Sequence, residues 1–136
     1  MTPIYCEELT DHQTLQFTGR VFGLHFPFRL EPTICQFARH LSANYTGGDW
    51  RFLGLSNGGF FMAPRHEGRF RVIAPNGHDG ELSANAFGIV ACLYALSHLS
   101  FAGDNQFAWN CAEHFHLLRE WALDQTEAGA IVTAID

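Results

Sequence analysis

Apolar residues recur every three or four positions over Glu31–Tyr45, where Ile34, Phe37, Ala38, Leu41 and Tyr45 make one face. That spacing predicts an amphipathic helix. Pro32 suits its first turn, where a missing N–H costs nothing, and Gly47-Gly48 follows its end. From Trp50 the pattern becomes strand-like. Trp50, Phe52 and Gly54 alternate with Arg51, Leu53 and Leu55, and a second run, Phe60–Ala63, ends at Pro64. Asn57-Gly58, followed by Gly59, predicts a type I′ hairpin turn between them, because both central residues of that turn need φ > 0. Arg69–Ala74 alternates again, with Arg69, Arg71 and Ile73 on one side and Phe70, Val72 and Ala74 on the other. Pro75–Gly80 reads as a turn and Gly80–Leu82 as a short fourth strand. The expected sheet is a meander of three to four antiparallel strands.

Ala84–Ser100 is apolar on nearly every side, the pattern of a buried helix, and Ser83 is its expected N-cap. We place it at the centre, across one face of the sheet. Asp104 is expected to cap a helix over 105–124, whose inner stripe is Phe107, Cys111, Phe115, Leu118 and Ala122. Thr126 is the expected cap of a last short helix over 127–135. Residues 7–17 read as a short helix, and 21–28 as an aromatic connector draped over the core. The fold class is α+β: a single compact domain over 1–136, with a small antiparallel sheet packed with about four helices, one central and buried.

Composition supports one packed domain, since 47% of the 136 residues are hydrophobic and only 16% charged. The first ten residues carry Glu7 and Glu8 and no basic residue, unlike a secretory leader. The apolar run 84–99 is too short, and too broken by Asn85 and Gly88, to span a bilayer. Four separated cysteines (Cys6, Cys35, Cys92 and Cys111) favour free thiols in a reducing cytoplasm.

Charge is unevenly distributed along the chain. The formal net charge is −6, and residues 104–136 hold six carboxylates against Arg119 alone, a balance of −5. Residues 49–75 hold Arg51, Arg65, Arg69 and Arg71 against Asp49 and Glu67, a balance of +2. A DNA mimic must match about one charge per 1.7 Å of duplex, and fourteen acids diluted by eight arginines do not reach that. The four arginines, with Trp50, Phe60 and Phe70 nearby, give a small basic patch that leaves a single-strand-binding module as one alternative.

Two further chemistries have partial matches in the chain. Gly54-Leu55-Ser56-Asn57-Gly58 matches Gly-x-Ser-x-Gly, so a small serine hydrolase using Ser56 and a distant histidine is the second alternative. That elbow requires a strand turning sharply into a helix, whereas the expected hairpin already accounts for the glycines. His114 and His116 sit about 200° apart on a helix and cannot reach one ion, so no metal is expected. No catalytic residue and no cofactor are assigned.

Asn44-Tyr45-Thr46-Gly47-Gly48-Asp49-Trp50, Leu55-Ser56-Asn57-Gly58-Gly59-Phe60-Phe61-Met62-Ala63-Pro64, Gly80-Glu81-Leu82-Ser83-Ala84, Gly88-Ile89-Val90-Ala91 and Ala134-Ile135-Asp136 follow one another in the chain. In these blocks the sequence resembles the ArdB/KlcA-type antirestriction proteins, over about residues 20–136, with 1–20 matching poorly. The resemblance implies a compact mixed α/β domain carried on plasmids and other mobile elements and acting in the bacterial cytoplasm. It further implies protection of incoming DNA from type I restriction-modification enzymes, without known hydrolase activity and unlike the acidic DNA mimics. The expected partner is the type I restriction enzyme complex or DNA being processed by it, with no membrane and no small-molecule substrate. The expected contact surfaces are the hairpin side carrying Arg51, Arg69 and Arg71 and the acidic C-terminal face with Glu120, Asp124 and Asp136. Asn57, Gly58 and Gly59 are expected to shape the hairpin.

Overall fold

The computed structural model describes residues 2–136. Strand β1 is Cys6–Glu8, β2 Trp50–Leu55, β3 Phe60–Pro64, β4 Arg69–Ile73 and β5 Asp79–Ser83. Helix α1 is Asp11–Val21, α2 Glu31–Leu41, α3 Ala84–Ser100, α4 Gln106–Ala122 and α5 Ala128–Ile135. A π-helical turn, Phe26–Leu30, leads directly into α2.

Thr10 sets the first boundary. Its hydroxyl accepts the Gln13 N–H, and the Gln13 side chain accepts the Thr10 N–H, a reciprocal cap that starts α1 at Asp11. The helix expected over 7–17 therefore begins later, and Cys6–Glu8 instead pairs antiparallel with β2, Cys6 opposite Leu55. Ser56 prolongs that pairing. Its N–H donates to the Tyr5 carbonyl at 2.8 Å and its Oγ accepts the Tyr5 N–H at 2.7 Å.

Helix α2 stops at Leu41, short of the expected Tyr45, because Ser42 is already extended. This frees Asn44 and Tyr45 for other contacts. Asn44 Oδ1 accepts the Arg71 N–H at 2.9 Å and its Nδ2 donates to the Arg69 carbonyl at 3.2 Å, so one side-chain amide lies along the outer edge of β4. Tyr45 Oη accepts the Trp50 indole N–H at 2.8 Å.

The hairpin joins β2 to β3 where expected, with Phe52 opposite Met62. Its turn differs from the expected type I′. Among the described residues no non-glycine has positive φ, so Asn57 is not left-handed; Gly58 is, at φ +95°. The Gly58 N–H donates to the Leu55 carbonyl at 3.0 Å, and the Leu55 N–H to the Gly59 carbonyl at 2.9 Å. This is a three-residue loop with one left-handed glycine, the commonest hairpin after the two-residue kind. No atom lies within 4 Å of a Cβ placed on Gly58, so a side chain there meets only backbone strain. Gly58→Val is expected to cost about 1–2 kcal/mol. A melting temperature equal to that of the wild type would remove this turn assignment.

The strands form two sheets, β1-β2-β3 and β4-β5, so the single expected meander is divided between β3 and β4. The reason lies at the outer edge of β3. Cys92 Sγ accepts the Met62 N–H at 3.3 Å, and Gly88 backs onto the Met62 carbonyl and Ala63. Helix α3 thus covers the edge that a fourth strand would need, and lies there instead of across one face. A Cβ on Gly88 would stand 2.1 Å from Met62 O and 2.7 Å from Ala63 Cα.

Twelve of the seventeen residues of α3 are buried, and α2, α4 and α5 pack around it, which makes it the expected central helix. Burial of Phe87, Leu93 and Leu96 stabilises the fold by about 1.5–3 kcal/mol for each side chain. Ser83 caps α3 as expected, its Oγ accepting the Ala86 N–H at 3.2 Å. Asn105, not Asp104, caps α4. Thr126 makes no cap for α5, whose N-cap position is Glu127. A second core layer is aromatic: Phe17, Phe22, Phe26, Phe52 and Phe60 pack together, with the Phe52 and Phe60 rings stacked at 5.1 Å.

Candidate functional site

The arginines of the hairpin side lie on two different sheets. Arg51 leaves β2 towards the first turn of α3, where it donates to Asn85 Oδ1 and lies 3.7 Å from Glu8. Arg65, just beyond β3, pairs with Glu8 at 2.9 Å and Asp49 at 3.2 Å. Arg69 and Arg71 share one face of β4, as strand alternation requires. Arg69 stands between Glu81 at 3.7 Å and Glu127 at 3.6 Å. Arg71 grips Asp79 with two bonds of 3.0 and 2.8 Å. Hydrogen bonding from Arg71 holds the Asp79 carboxyl below its usual range.

Every arginine from β2 to β4 therefore faces a carboxylate. Exposed pairs of this kind are screened by solvent and add little to stability. Their larger consequence is electrostatic: the local positive excess read from the sequence is neutralised from elsewhere in the chain. Glu8 and Arg65 are 57 residues apart, and no local spacing signals their contact. No local spacing marks Glu127 as a partner either. Its carboxylate accepts the Ser83 N–H at 3.0 Å and the Ser83 hydroxyl, joining the start of α5 to the start of α3.

The three expected acidic contact residues are all exposed. Glu120 is in the last turn of α4 and Asp124 lies just beyond its end. Asp136 is at the far end of α5, about 12 Å along that helix from its start. None of the three joins an ion pair among the described residues.

Ser56 lies in the hairpin loop, where its Oγ accepts the Tyr5 N–H. No helix follows it, so the strand-to-helix elbow of a serine hydrolase is not formed. Among the described residues no three His, Cys, Asp or Glu side chains gather as a metal cluster. A cleft of about 320 Å³ opens beside Glu31, Cys35, Trp50 and Arg51. Burial raises the Glu31 carboxyl and the Cys35 thiol there, which disfavours the thiolate. Burial pushes the Cys92 and Cys111 thiols up to about 12. No helix of the described residues is long and apolar enough to cross a membrane.

His114 is 6% exposed and packs among the Phe17, Phe22 and Phe60 rings, with Nδ1 unpartnered among the described residues. Burial pushes its pKa below 6.5, outweighing the nearby Glu113. The folded state thus holds a neutral imidazole that the unfolded chain protonates more readily. Stability is expected to fall as pH drops through about 6.5 towards the lower folded value. Thermal melts of wild type and His114→Leu between pH 7 and 5 check this. The variant should lose part of the acid slope, and an identical slope would dismiss His114 as its source.

Comparison with known proteins places this geometry among relatives. Residues 43–136 match the family described as "Antirestriction protein". The chain is 41% identical over 140 residues to the antirestriction protein KlcA of Escherichia coli, covering 99% of this chain and 95% of that protein. A second Escherichia coli KlcA is 37% identical, over 98% of this chain and 96% of that one. A solved structure superposes with a TM-score of 0.90 at 38% identity, covering 99% of this chain and 96% of the other. It comes from work describing KlcA and ArdB as showing a novel fold and antirestriction activity against type I DNA restriction systems in vivo but not in vitro.

Proposed function

The chain belongs to the antirestriction protein family, and on that premise we propose that it protects incoming, unmodified DNA from type I restriction-modification enzymes in the cytoplasm, by binding and not by catalysis. The observation that carries this reading is full-length likeness: the relatives with that activity match it over nearly every residue, with the same fold. Binding is favoured because Ser56, Cys92 and Cys111 are all held as structural groups. The pairing of Arg51, Arg65, Arg69 and Arg71 with carboxylates argues against a phosphate-binding surface. Of the two expected contact surfaces, the acidic one retains unpaired charge.

The test is plating of unmodified phage on cells with a type I system, with and without the protein, scoring DNA modification in parallel. Restored plating with modification intact is expected and points to a block on translocation or cleavage. Loss of modification as well would indicate capture of the shared recognition machinery. No restoration, with the protein soluble and folded, would overturn the reading.

A further inference from the structure

Helix α4 has one face in the core and one that nothing among the described residues covers. Phe107, Cys111, His114, Leu118 and Ala122 are buried. The opposite side presents Trp109, Glu113, His116, Glu120, Leu123 and Asp124, all exposed. Trp109 is 68% exposed and Leu123 47%. These two apolar residues stand about 21 Å apart along the helix, with carboxylates between them.

We propose that this outward face of α4 docks a basic segment of a protein partner, which receives the Trp109 indole in an apolar slot and sets Arg or Lys side chains against Glu113 and Glu120. The proposal rests on the antirestriction reading for the setting of that partner, the restriction machinery or a protein acting with it.

Charge complementarity selects the occupant. The four arginines of residues 49–75 are matched to carboxylates, whereas Glu113, Glu120 and Asp124 join no ion pair among the described residues. Residues 104–136 carry a balance of −5, and of their six carboxylates only Glu127 joins an ion pair among the described residues, so a negative field lies along α4. That field repels phosphates and attracts a cationic protein surface. Trp109 supplies the anchor. Its indole N–H donates to Asp104 Oδ1 at 3.1 Å, which holds a large exposed ring in one orientation before any partner arrives. Tryptophan is among the residues most enriched at binding hot spots, and preordering reduces the entropy lost on docking.

The probe is a fluorescein-labelled amphipathic helical peptide with leucine on one face and arginine on its flanks, titrated at low and high salt. Wild type is expected to bind it in a salt-sensitive way. Trp109→Ala and the double variant Glu113→Lys/Glu120→Lys should each weaken binding at least about tenfold with unchanged melting temperature. Asp11→Lys/Glu67→Lys, on exposed sites away from α4, should bind like wild type. The same variants are then scored by phage plating. Equal protection by wild type and the α4 variants would overturn the docking face while leaving the antirestriction reading intact. If wild type gives no protection, that reading falls and the peptide titration alone decides. Absent or variant-independent peptide binding then overturns the docking face.

Discussion

Gly88→Ala is expected to lower stability by about 3 kcal/mol, the upper end of overpacking costs, and to reduce the melting temperature by roughly 10 °C. The sign is the informative part. In the middle of an ordinary helix, glycine to alanine is stabilising by about 1 kcal/mol. Here the new methyl would stand 2.1 Å from the Met62 carbonyl oxygen and 2.7 Å from Ala63 Cα. Both are backbone atoms of a strand held on its other side by β2, so neither can swing away as a side-chain tip could. Gly129→Ala in α5 is the control, since nothing lies within 4 Å of its Cβ position. It should leave the melting temperature unchanged or raise it slightly. Paired melts of the two variants decide the matter, and a Gly88→Ala protein as stable as wild type would mean that α3 does not touch β3 there.

The second large effect is expected at Asn57. Its Oδ1 accepts the Gly59 N–H at 2.9 Å and its Nδ2 donates to the Leu117 carbonyl at 2.9 Å. One side chain thus closes the hairpin loop and ties it to α4. Removing a partner from partly buried polar groups costs about 1–3 kcal/mol. Asn57→Ala should therefore lose about 2 kcal/mol in a denaturant melt. Asn57→Asp separates the two contacts. It keeps the acceptor for Gly59 but sets a carboxylate oxygen against the Leu117 carbonyl, so it should not recover the loss. Full stability of the aspartate variant would sink the tie to α4. Gly59 belongs to the same junction: a Cβ there would lie 3.0 Å from Leu117 Cβ.

These two sites show what was legible in the chain. The hairpin, the strand over 69–73, the buried helix and its Ser83 cap follow from alternation, all-round apolarity and one capping hydroxyl, each local in sequence. The expected type I′ turn requires a left-handed Asn57, whereas Asn57 has no positive φ and uses its side chain for a contact 60 residues away. In the sequence Gly88 reads as a break in an apolar run, although in the fold it is where α3 backs directly onto β3. Nothing local marks a glycine as facing another backbone. The division into two sheets has the same origin, since Met62 meeting Cys92 is a tertiary fact. At the candidate site, alternation placed Arg69 and Arg71 on one face. Their carboxylate partners include Glu127, more than fifty residues on, and pairing of that kind leaves no trace in residue spacing. One local signal does mark the start of α1: Thr10 and Gln13 are its capping pair.

Asn44 carries a consequence for how copies of this protein behave at high concentration. A two-stranded ribbon such as β4-β5 ordinarily offers an open row of donors and acceptors to any extended chain that drifts past, including another molecule of itself. Asn44 fills one repeat of that row with a side chain, satisfying Arg69 O and Arg71 N–H as a neighbouring strand would. An incoming strand must first evict an amide that is tethered to the same chain and always present at the edge. One repeat of the β4 edge is thereby closed to strand addition, by a residue that belongs to neither strand.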